Sequence, residues 1–269
     1  MSSSLLETIK GRRSVRTYDG RKLWQADIDK LNDFIKTISN PFQIPVHFVL
    51  LDADEHKLSS PVLAGDTMYV AGIVPKKPYA DVAFGYAFEK LVLYAWSLRI
   101  GTVWIGGTMK REVFEKAAGL QEGYMMPCVS PIGYPAKKMA LKEVMMRKGV
   151  KADTRFSDDK LFFADEWEKP LTIPTEMAEI FEMVRLAPSA VNKQPWRIIW
   201  KDGVYHFYEK KDNGYVNDKT GDLQKIDIGI ALCHFVMGLE EQGKTPVVKI
   251  NDPGIVIPEN VEYIASVTV

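Results

Sequence analysis

Two long apolar segments constrain the fold of this chain more than any other feature. Residues 81–101, DVAFGYAFEKLVLYAWSLRIG, and residues 227–243, DIGIALCHFVMGLEEQG, each begin with Asp, continue with Gly and Ala, and end at Gly. Their apolar residues run nearly all the way round a helix, which is typical of helices buried in a core or at an interface. We therefore expect two central helices, one in each half of the chain.

The order helix, loop, strand also occurs twice. Residues 27–38 have helical apolar spacing and precede the strand VHFVLLD, and residues 175–186 have similar spacing and precede the strand WRIIW. Each half has a closing strand further on, YMMPCVSPIGYP in the first and VEYIASVTV in the second. A shift of 150 positions aligns Ser39 with Ser189 without a gap, but identities are no more frequent than chance. The pattern of elements, rather than residue identity, suggests an internal repeat.

Composition narrows the class of protein. Apolar residues make up 46% of the 269 residues, which is enough for a real core. Lys plus Arg and Asp plus Glu number 35 each, so the net charge gives no support for a nucleic-acid or anionic-membrane partner. Cys128 and Cys233 have no CxxC partner and the 4 His are scattered, so we expect buried cysteines and no metal site. Small neutral or mildly charged ligands fit this composition better.

The first residues, MSSSLLETIKGRR, contain an apolar part that is too short for a signal peptide. No run of about 18 apolar residues could span a bilayer, so we expect a cytoplasmic protein. Ser4 and Glu7 have the spacing of a capping box, which predicts a short first helix that ends near Gly11.

A polar loop separates the helix at 175–186 from the strand that follows it. Pro188 ends the helix, and in APSAVNKQPW the side chains of Ser189, Asn192 and Gln194 can donate and accept hydrogen bonds. Such residues commonly tie down a helix end by local side-chain bonds. The chemistry alone leaves that structural interpretation and a ligand-binding role both open.

A basic segment, GRRSVR, follows the predicted first helix. An exposed loop is the ordinary interpretation of such a run. Arg guanidinium groups also meet phosphate oxygens in a bidentate geometry that Lys cannot copy, so a phosphate site is the alternative.

Four segments together resemble the signature blocks of FMN-dependent nitroreductases: RRSVR (12–16), DVAFGYAFEKLVLYAWSLRIGTVWIGG (81–107), IGYPAKK (132–138) and APSAVNKQPW (187–196). The last block is the most specific, and the resemblance covers most of the chain. It implies an α+β nitroreductase-like fold, with a mixed β-sheet, flanking helices and a flavin at the interface between two subunits. The tandem pattern is similar to that of the TM nitroreductases, a fused branch of this family.

The resemblance also implies roles for the basic segment. Arg12 and Arg16 are the residues that would bind the FMN phosphate, with Ser14 nearer the flavin ring and Arg13 a weaker candidate.

Further cofactor contacts implied by the resemblance come from both halves. In TVWIGGT, Gly106 and Gly107 stand where the family places backbone N–H groups near the flavin N5, and an ordinary Gly-Gly turn is the alternative. The remaining implied residues are Pro188, Ser189, Ala190, Asn192 and Gln194 around the ring, and Arg155, with Lys151 as a looser match, near the phosphate.

The two halves differ at these positions. With the shift of 150 positions, the residues opposite the first basic segment are Phe162, Ala164 and Glu166, and those opposite Asn192 and Gln194 are Phe42 and Ile44. Each half therefore keeps one wall of the site. We expect a single-chain pseudo-dimer of residues 1–155 and residues 156–269, with one composite flavin site and a degenerate second location. Because the halves already pair, we expect a monomer.

The resemblance thus predicts an FMN-dependent oxidoreductase. It would take hydride from NADH or NADPH and pass it to a nitroaromatic, a quinone or a related small acceptor. No GxGxxG fingerprint follows a strand, so the nicotinamide is expected to bind transiently over the flavin. The flavin N5 would carry the chemistry, so we assign no catalytic side chain.

Two alternatives stay open. A flavin-binding or flavin-free scaffold that keeps the fold without turnover is favoured if Arg12 and Asn192 do not face one cavity. Relatives of this fold also perform dehalogenation or flavin destruction, with specificity in lid segments. Residues 53–80 are polar and punctuated by Pro and Gly, as expected of a lid.

Overall fold

The helices lie between and beside two β-sheets. The computed structural model describes residues 4–269. Its α-helices are α1 (Leu5–Gly11), α2 (Gln25–Thr37), α3 (Ala53–His56), α4 (Ala80–Ser97), α5 (Arg111–Ala117), α6 (Leu141–Gly149), α7 (Ala178–Arg185) and α8 (Leu223–Glu241). Short 3-10 helices cover 158–160, 175–177 and 190–192.

The strands form two larger sheets and one short ribbon. They are β1 (His47–Asp52), β2 (Met68–Pro75), β3 (Gly101–Thr102), β4 (Tyr124–Met125), β5 (Val129–Gly133), β6 (Phe162–Ala164), β7 (Trp196–Lys201), β8 (Val204–Lys210), β9 (Val216–Asn217), β10 (Gly221–Asp222), β11 (Val247–Lys249) and β12 (Val261–Thr268). The first sheet has the order β1-β2-β5-β3, with β4 beside β2, and the second has the order β11-β12-β8-β7-β6. The ribbon pairs β9 with β10. All pairs are antiparallel except β6 with β7, so the predicted α+β class with a mixed sheet is confirmed.

The two sheets share one topology over four strands. The order β1-β2-β5-β3 in the first sheet corresponds to β7-β8-β12-β11 in the second, and β6 is an additional strand beside β7. In each case a helix precedes the first strand of the set, α2 before β1 and α7 before β7. This correspondence supports the interpretation of two related halves, and the single-chain pseudo-dimer stays a prediction.

The two predicted central helices are α4 and α8, and they pack on each other. A Cβ added to Gly85 would overlap the backbone oxygen of Ile226, and one added to Gly229 would overlap that of Val82. The contact is therefore reciprocal. Each glycine meets the backbone of the residue that lies three positions before the glycine of the partner helix. Such reciprocity is the pattern of a two-fold interface, here between helices of one chain. Cys233 in α8 is buried, as is Cys128, in agreement with the expectation from sequence.

A buried polar pair also joins the central helices. His234 and Glu89 are fully buried, and the His234 Nε2 lies 3.0 Å from the Glu89 Oε1. The His234 Nδ1 lies 2.7 Å from the backbone oxygen of Met183, so Nδ1 carries a proton. The indole of Trp104 donates to the other carboxylate oxygen of Glu89 at 3.3 Å. Every polar atom of this pair thus has a partner, as burial requires.

The first helix forms as its sequence predicts. The Ser4 hydroxyl accepts from the backbone N–H of Glu7, and the Glu7 carboxylate accepts from the Ser4 N–H, which completes the capping box. The helix ends at Gly11, where the basic segment begins.

Three expectations about local structure are wrong. Residues 53–80 are not a lid, because β2 inside this range is a buried strand between β1 and β5. The Pro and Gly residues of the range obscured the apolar run MYVAGIV, which forms that strand. The first closing strand is two strands, β4 and β5, since Pro127 lies between them.

The third error concerns the shift of 150 positions. Ser14 forms a β-bridge with Thr102 in β3, whereas Phe162 and Ala164 lie in β6 and pair with β7. Because β3 corresponds to β11 in the shared topology, these two segments occupy different edges and are not structural counterparts.

Among residues 4–269, no helix is both long enough and apolar enough to cross a membrane.

We predict that Gly85→Ala lowers the free energy of unfolding by about 1–3 kcal/mol, because the added methyl group meets backbone rather than a flexible side chain. The midpoint of urea denaturation measures the change. Gly149→Ala is the matched control, since this helical glycine has open space at its Cβ. Equal stability of the two variants would contradict the close contact of α4 with α8.

Candidate functional site

The loop 189–194 is held in a fixed shape by bonds within it. Val191, Asn192 and Gln194 all have positive φ, at 44°, 59° and 51°. The Ser189 hydroxyl accepts from the backbone N–H of Gln194 at 2.9 Å, and the Ser189 carbonyl accepts from the N–H of Asn192 at 3.0 Å. Left-handed backbone at three non-glycine residues is costly, and such conformations persist where the surroundings enforce them.

A buried carboxylate on α8 anchors the same loop. Both oxygens of Asp227 lie 3.1 Å from the backbone nitrogen of Ala190, which donates to them. Burial raises the pKa of Asp227 well above its ordinary range, and the bond from Ala190 opposes this rise only in part. Asp227 begins the apolar segment 227–243 in the sequence, but no role at the site was predicted for it. The available signal for such a role was a single acidic residue beside a run of apolar ones.

The polar side chains of the loop bond to the connector, the segment of about residues 140–165 that joins the two halves. The Asn192 Nδ2 donates to the carbonyls of Lys151 at 2.8 Å and Thr154 at 3.0 Å. The Gln194 Oε1 accepts from the backbone N–H of Phe156 at 2.8 Å. These bonds match the interpretation of the loop as one tied down by its own side chains, and the partner is the connector rather than the preceding helix.

Arg155 extends this network to a second loop carbonyl. Its Nη1 donates to the Asn192 Oδ1 at 3.3 Å, and its Nη2 donates to the backbone oxygen of Leu186 at 3.2 Å. The Nε of Arg155 is buried and has no hydrogen-bond partner. Burial and the nearby charge of Arg12 lower the pKa of Arg155 to about 10, which leaves it charged at neutral pH.

Four guanidinium groups approach one another here, and we call Arg12, Arg16, Arg147 and Arg155 the arginine cluster. Burial lowers the pKa of Arg12 and of Arg16, and in both the charge of Arg147 lowers it further. The charge of Glu89 opposes the shift at Arg12, and that of Glu143 opposes it at Arg16. The Arg12 Nε, like that of Arg155, is buried without a partner. Two orphaned donors among mutually repelling cations fit an anion such as a phosphate dianion.

Arg147 was not among the residues singled out from the sequence. It lies on α6, within the connector of about residues 140–165 that joins the two halves. The available sequence signal was its position in a short segment with helical spacing. Only the packing of α6 on the basic segment places Arg147 beside Arg12 and Arg16.

Glu143, also on α6, holds the basic segment in place. This carboxylate is buried and accepts from the Arg13 Nη1 at 2.7 Å, the Arg16 backbone N–H at 3.2 Å and the Thr17 hydroxyl at 2.7 Å. Arg13 is therefore engaged by a carboxylate, whereas Arg12 and Arg16 remain within the cluster. Ser14 lies beside β3 through its bridge with Thr102.

The glycine loop after β3 reaches the second half. A Cβ on Gly106 would lie 3.4 Å from the Cys128 sulfur and 3.5 Å from a methyl group of Leu223, the first residue of α8. Gly107 is exposed and has open space where a Cβ would lie. The Gly106 carbonyl accepts from Arg111. Packing alone does not require glycine at 107, so the space beside it remains free for a ligand.

Carboxylates with raised pKa values lie near α8 and the N-terminus of α4. Burial raises the pKa of Asp81 to about 6, and burial together with the charge of Asp222 raises that of Glu209 to about 8. Burial also raises the pKa of the Cys128 thiol to about 12, so this cysteine is not a thiolate. Within residues 4–269, no group of three or more His, Cys, Asp or Glu is arranged to hold a metal ion.

The structure links some of the residues implied by the resemblance. Arg155 donates a hydrogen bond to Asn192, and the charge of Arg12 lowers the pKa of Arg155. Arg155 therefore links the basic segment to the loop 189–194. Lys151 is exposed and contributes a carbonyl to the network. A cavity of about 340 Å³ opens beside Arg147 and Lys151, but neither Arg12 nor Asn192 lines it.

We predict that Asn192→Gly loosens the connector, because the carbonyls of Lys151 and Thr154 lose their donor. Glycine keeps the left-handed backbone, so strain does not contribute. Unfolding free energy should fall by about 1–2 kcal/mol, and amide exchange at 151–156 should accelerate. Asn213→Gly, at an exposed turn, is the control. Unchanged exchange in the Asn192 variant would show that these bonds do not hold the connector.

We predict that Glu209 makes the folded state less stable as pH rises. Its pKa is about 8 in the folded protein and is ordinarily 4.5, so the folded chain holds a proton that the unfolded chain releases between these values. The unfolding free energy should therefore fall between about pH 5 and about pH 8. Denaturation of wild type and Glu209→Gln at both pH values measures this, since the variant should show a smaller fall. Glu259→Gln, at an exposed position, should behave as wild type.

Comparison with known proteins gives a match over most of the chain. The family model described as "Putative TM nitroreductase" matches residues 4–239. A structure from Thermotoga maritima, described as that of a "putative nitroreductase", is 20% identical with a TM-score of 0.66, and the match covers 99% of this chain and 94% of that chain. A nitroreductase with bound FMN from Bacteroides fragilis is 22% identical with a TM-score of 0.45 over 52% of this chain and 92% of that chain. No curated protein matches the sequence.

The match to the Thermotoga maritima structure extends over nearly the whole of both chains, and it shows the nitroreductase-like fold that the sequence resemblance predicts. The family model, in turn, spans both central helices and both the basic segment and the loop 189–194. The chain therefore belongs to the family described as TM nitroreductases.

Proposed function

We propose that this protein is an FMN-dependent oxidoreductase that takes hydride from NADH or NADPH and passes it to a nitroaromatic, a quinone or a related small acceptor. Membership of the nitroreductase family supports an oxidoreductase activity. The observation that carries the proposal is the arginine cluster, with buried and unpartnered Nε atoms on Arg12 and Arg155.

The residues present suit FMN in two respects. The terminal phosphate of FMN is close to a dianion, and guanidinium groups bind such oxygens in pairs. Arg12 and Arg16 come from the first half and Arg155 from the connector. Burial is the main cause that lowers their pKa values and repulsion from neighbouring arginines is a smaller one, and a phosphate between them would offset both. The open space at Gly107 leaves its backbone accessible to a flat ring.

The chain's own contribution is to bind and orient. When bound, the flavin supplies the hydride chemistry at its N5. Glu143 accepts hydrogen bonds from the basic segment, and Asp227 accepts from the N–H of Ala190, so the backbone of both walls is held in place. Such preorganisation reduces the entropy that binding would otherwise lose.

Two observations favour the alternative of a non-catalytic scaffold. The cavity beside Arg147 and Lys151 is lined by neither Arg12 nor Asn192, and the polar side chains of the loop are already bonded. Both hydrogens of the Asn192 amide and its oxygen are already bonded to the connector and to Arg155, and the Gln194 side chain is buried and bonded at both ends. These amides could bind the ring edges only if the connector moved. The composite site shared by residues 1–155 and 156–269, and the monomeric state that internal pairing implies, belong to the same proposal.

We predict that the purified protein binds one FMN per chain and that Arg12→Gln weakens this binding by about 2 kcal/mol, roughly thirtyfold in Kd, because a charge-assisted phosphate contact is lost. Titration followed by flavin absorbance and fluorescence measures the affinity. Arg21→Gln is the matched control, since the Arg21 side chain pairs with Asp19 at the surface.

Anaerobic addition of NADH or NADPH then separates the two functions. Bleaching of the bound flavin, followed by reoxidation with a nitroaromatic or a quinone, supports the oxidoreductase. Bound flavin that neither donor reduces indicates the flavin-binding scaffold, and a protein that binds no FMN contradicts the proposed site altogether.

A further inference from the structure

A second cavity, of about 380 Å³, lies away from the arginine cluster. Three segments form its walls: the loop that contains Phe42 and Ile44, the turn Lys77–Tyr79 before α4, and the end of β11 with Lys249 and Ile250. No residue of the arginine cluster and no residue of the loop 189–194 lines it. The cavity is thus separate from the candidate flavin site.

Its position follows from the topology shared by the two sheets. The loop with Phe42 precedes β1, as the loop 189–194 precedes β7. Lys249 and Ile250 stand at the end of β11, the counterpart of β3, after which Gly106 and Gly107 follow. The cavity therefore lies beside elements whose counterparts in the other half form the walls of the candidate flavin site. The cavity lies where the degenerate second location is expected from sequence, and its lining differs from that of the candidate flavin site.

The changed lining includes a pair of parallel aromatic rings. The ring centroids of Phe42 and Tyr79 are 5.8 Å apart, and the ring planes differ by 9°. Phe42 lies in the loop before β1, the counterpart of the loop 189–194, and presents a flat apolar surface where that loop carries amides. Ile44 of the same loop also lines the cavity and is buried. Aromatic and aliphatic walls of this kind favour a flat apolar molecule.

The backbone of this lining is unusual as well. Tyr79 has a φ of 65° and Gln43, next to Phe42, has a φ of 54°. Positive φ is rare for a bulky aromatic residue, and such conformations cluster at functional sites, where the surrounding structure enforces them. Both ring-bearing segments are therefore held in place by conformations that local preference opposes.

Two lysines are among the residues that line the cavity. Lys77 and Lys249 are exposed residues, and neither has a salt-bridge partner among residues 4–269. Lysine binds an anion as a point charge and does not impose the fork geometry of arginine. The two lysines can attract an anionic group such as a carboxylate without the bidentate geometry that arginine offers a phosphate.

We propose that this cavity binds a small aromatic carboxylate, with its ring system against Phe42 and Tyr79 and its carboxylate between Lys77 and Lys249. A cavity of this volume lies at the lower end of the range for small-molecule sites and holds one or two fused rings. The site does not depend on flavin binding or on turnover at the arginine cluster.

The test uses naphthalene-2-carboxylate as the probe and isothermal titration calorimetry on the full chain, with and without a saturating excess of FMN. We expect one probe per chain, and the same affinity under both conditions. The neutral amide naphthalene-2-carboxamide should bind more weakly, by about fivefold or more, because it lacks the charge that the lysines attract.

The variant Lys77→Gln/Lys249→Gln should weaken the carboxylate by about fivefold or more and leave the amide unchanged. Lys76→Gln/Lys116→Gln, which changes the net charge equally at exposed positions outside the lining, is the matched control and should bind as wild type. Because these lysines are exposed, folding is preserved. Phe42→Leu should weaken both probes.

Three results would overturn the proposal. The first is no binding of the probe at millimolar concentration, and the second is an affinity that the lysine variant does not change. The third is displacement of the probe by FMN, which would place it in the candidate flavin site. Loss of FMN binding in Arg12→Gln with the probe affinity intact would show that the two sites stand or fall independently.

Discussion

The rest of the structure depends on the close approach of α4 and α8. Gly85 and Gly229 let each helix receive the backbone of the other, and no side chain could occupy either position without separating them. The approach places Leu223 against Gly106 and positions Asp227 to hold the N–H of Ala190. Both walls of the candidate flavin site are therefore located by the same helix pair, although they belong to different halves of the chain.

Electrostatics distinguishes the two ends of this helix pair. At one end the arginine cluster gathers four cations from three separate segments, and two of its Nε atoms have no partner. Glu89 connects this end to the interior, because its carboxylate is hydrogen-bonded to His234 in the helix interface and its charge acts on Arg12. At the other end, aromatic rings and two exposed lysines line the open cavity. A shared topology thus carries two different chemistries.

The connector has a larger structural role than its composition indicates. Its basic residues suggest a solvated surface, yet α6 supplies the buried Glu143 and the cluster residue Arg147, and the segment 151–156 bonds to Asn192 and Gln194. These bonds tie the connector to the loop that the resemblance assigns to the flavin. Any movement that frees the two amides for a ligand must therefore also move the connector, which couples ligand binding to the joint between the halves.

Local sequence patterns were enough to predict the two central helices, the first helix and the α+β class. Apolar periodicity located both central helices, the capping box located the start of α1, and the combined motifs indicated the family, because each of these signals is local along the chain. Residues 53–80 misled because Gly and Pro surround a strand whose burial arises from its neighbours β1 and β5. Three findings came from the three-dimensional structure alone. Arg147 and Glu143 lie at the site, the Asn192 amide is hydrogen-bonded to the connector, and Phe42 lines a cavity. These facts rest on contacts between residues far apart in sequence, and one sequence carries no record of such contacts.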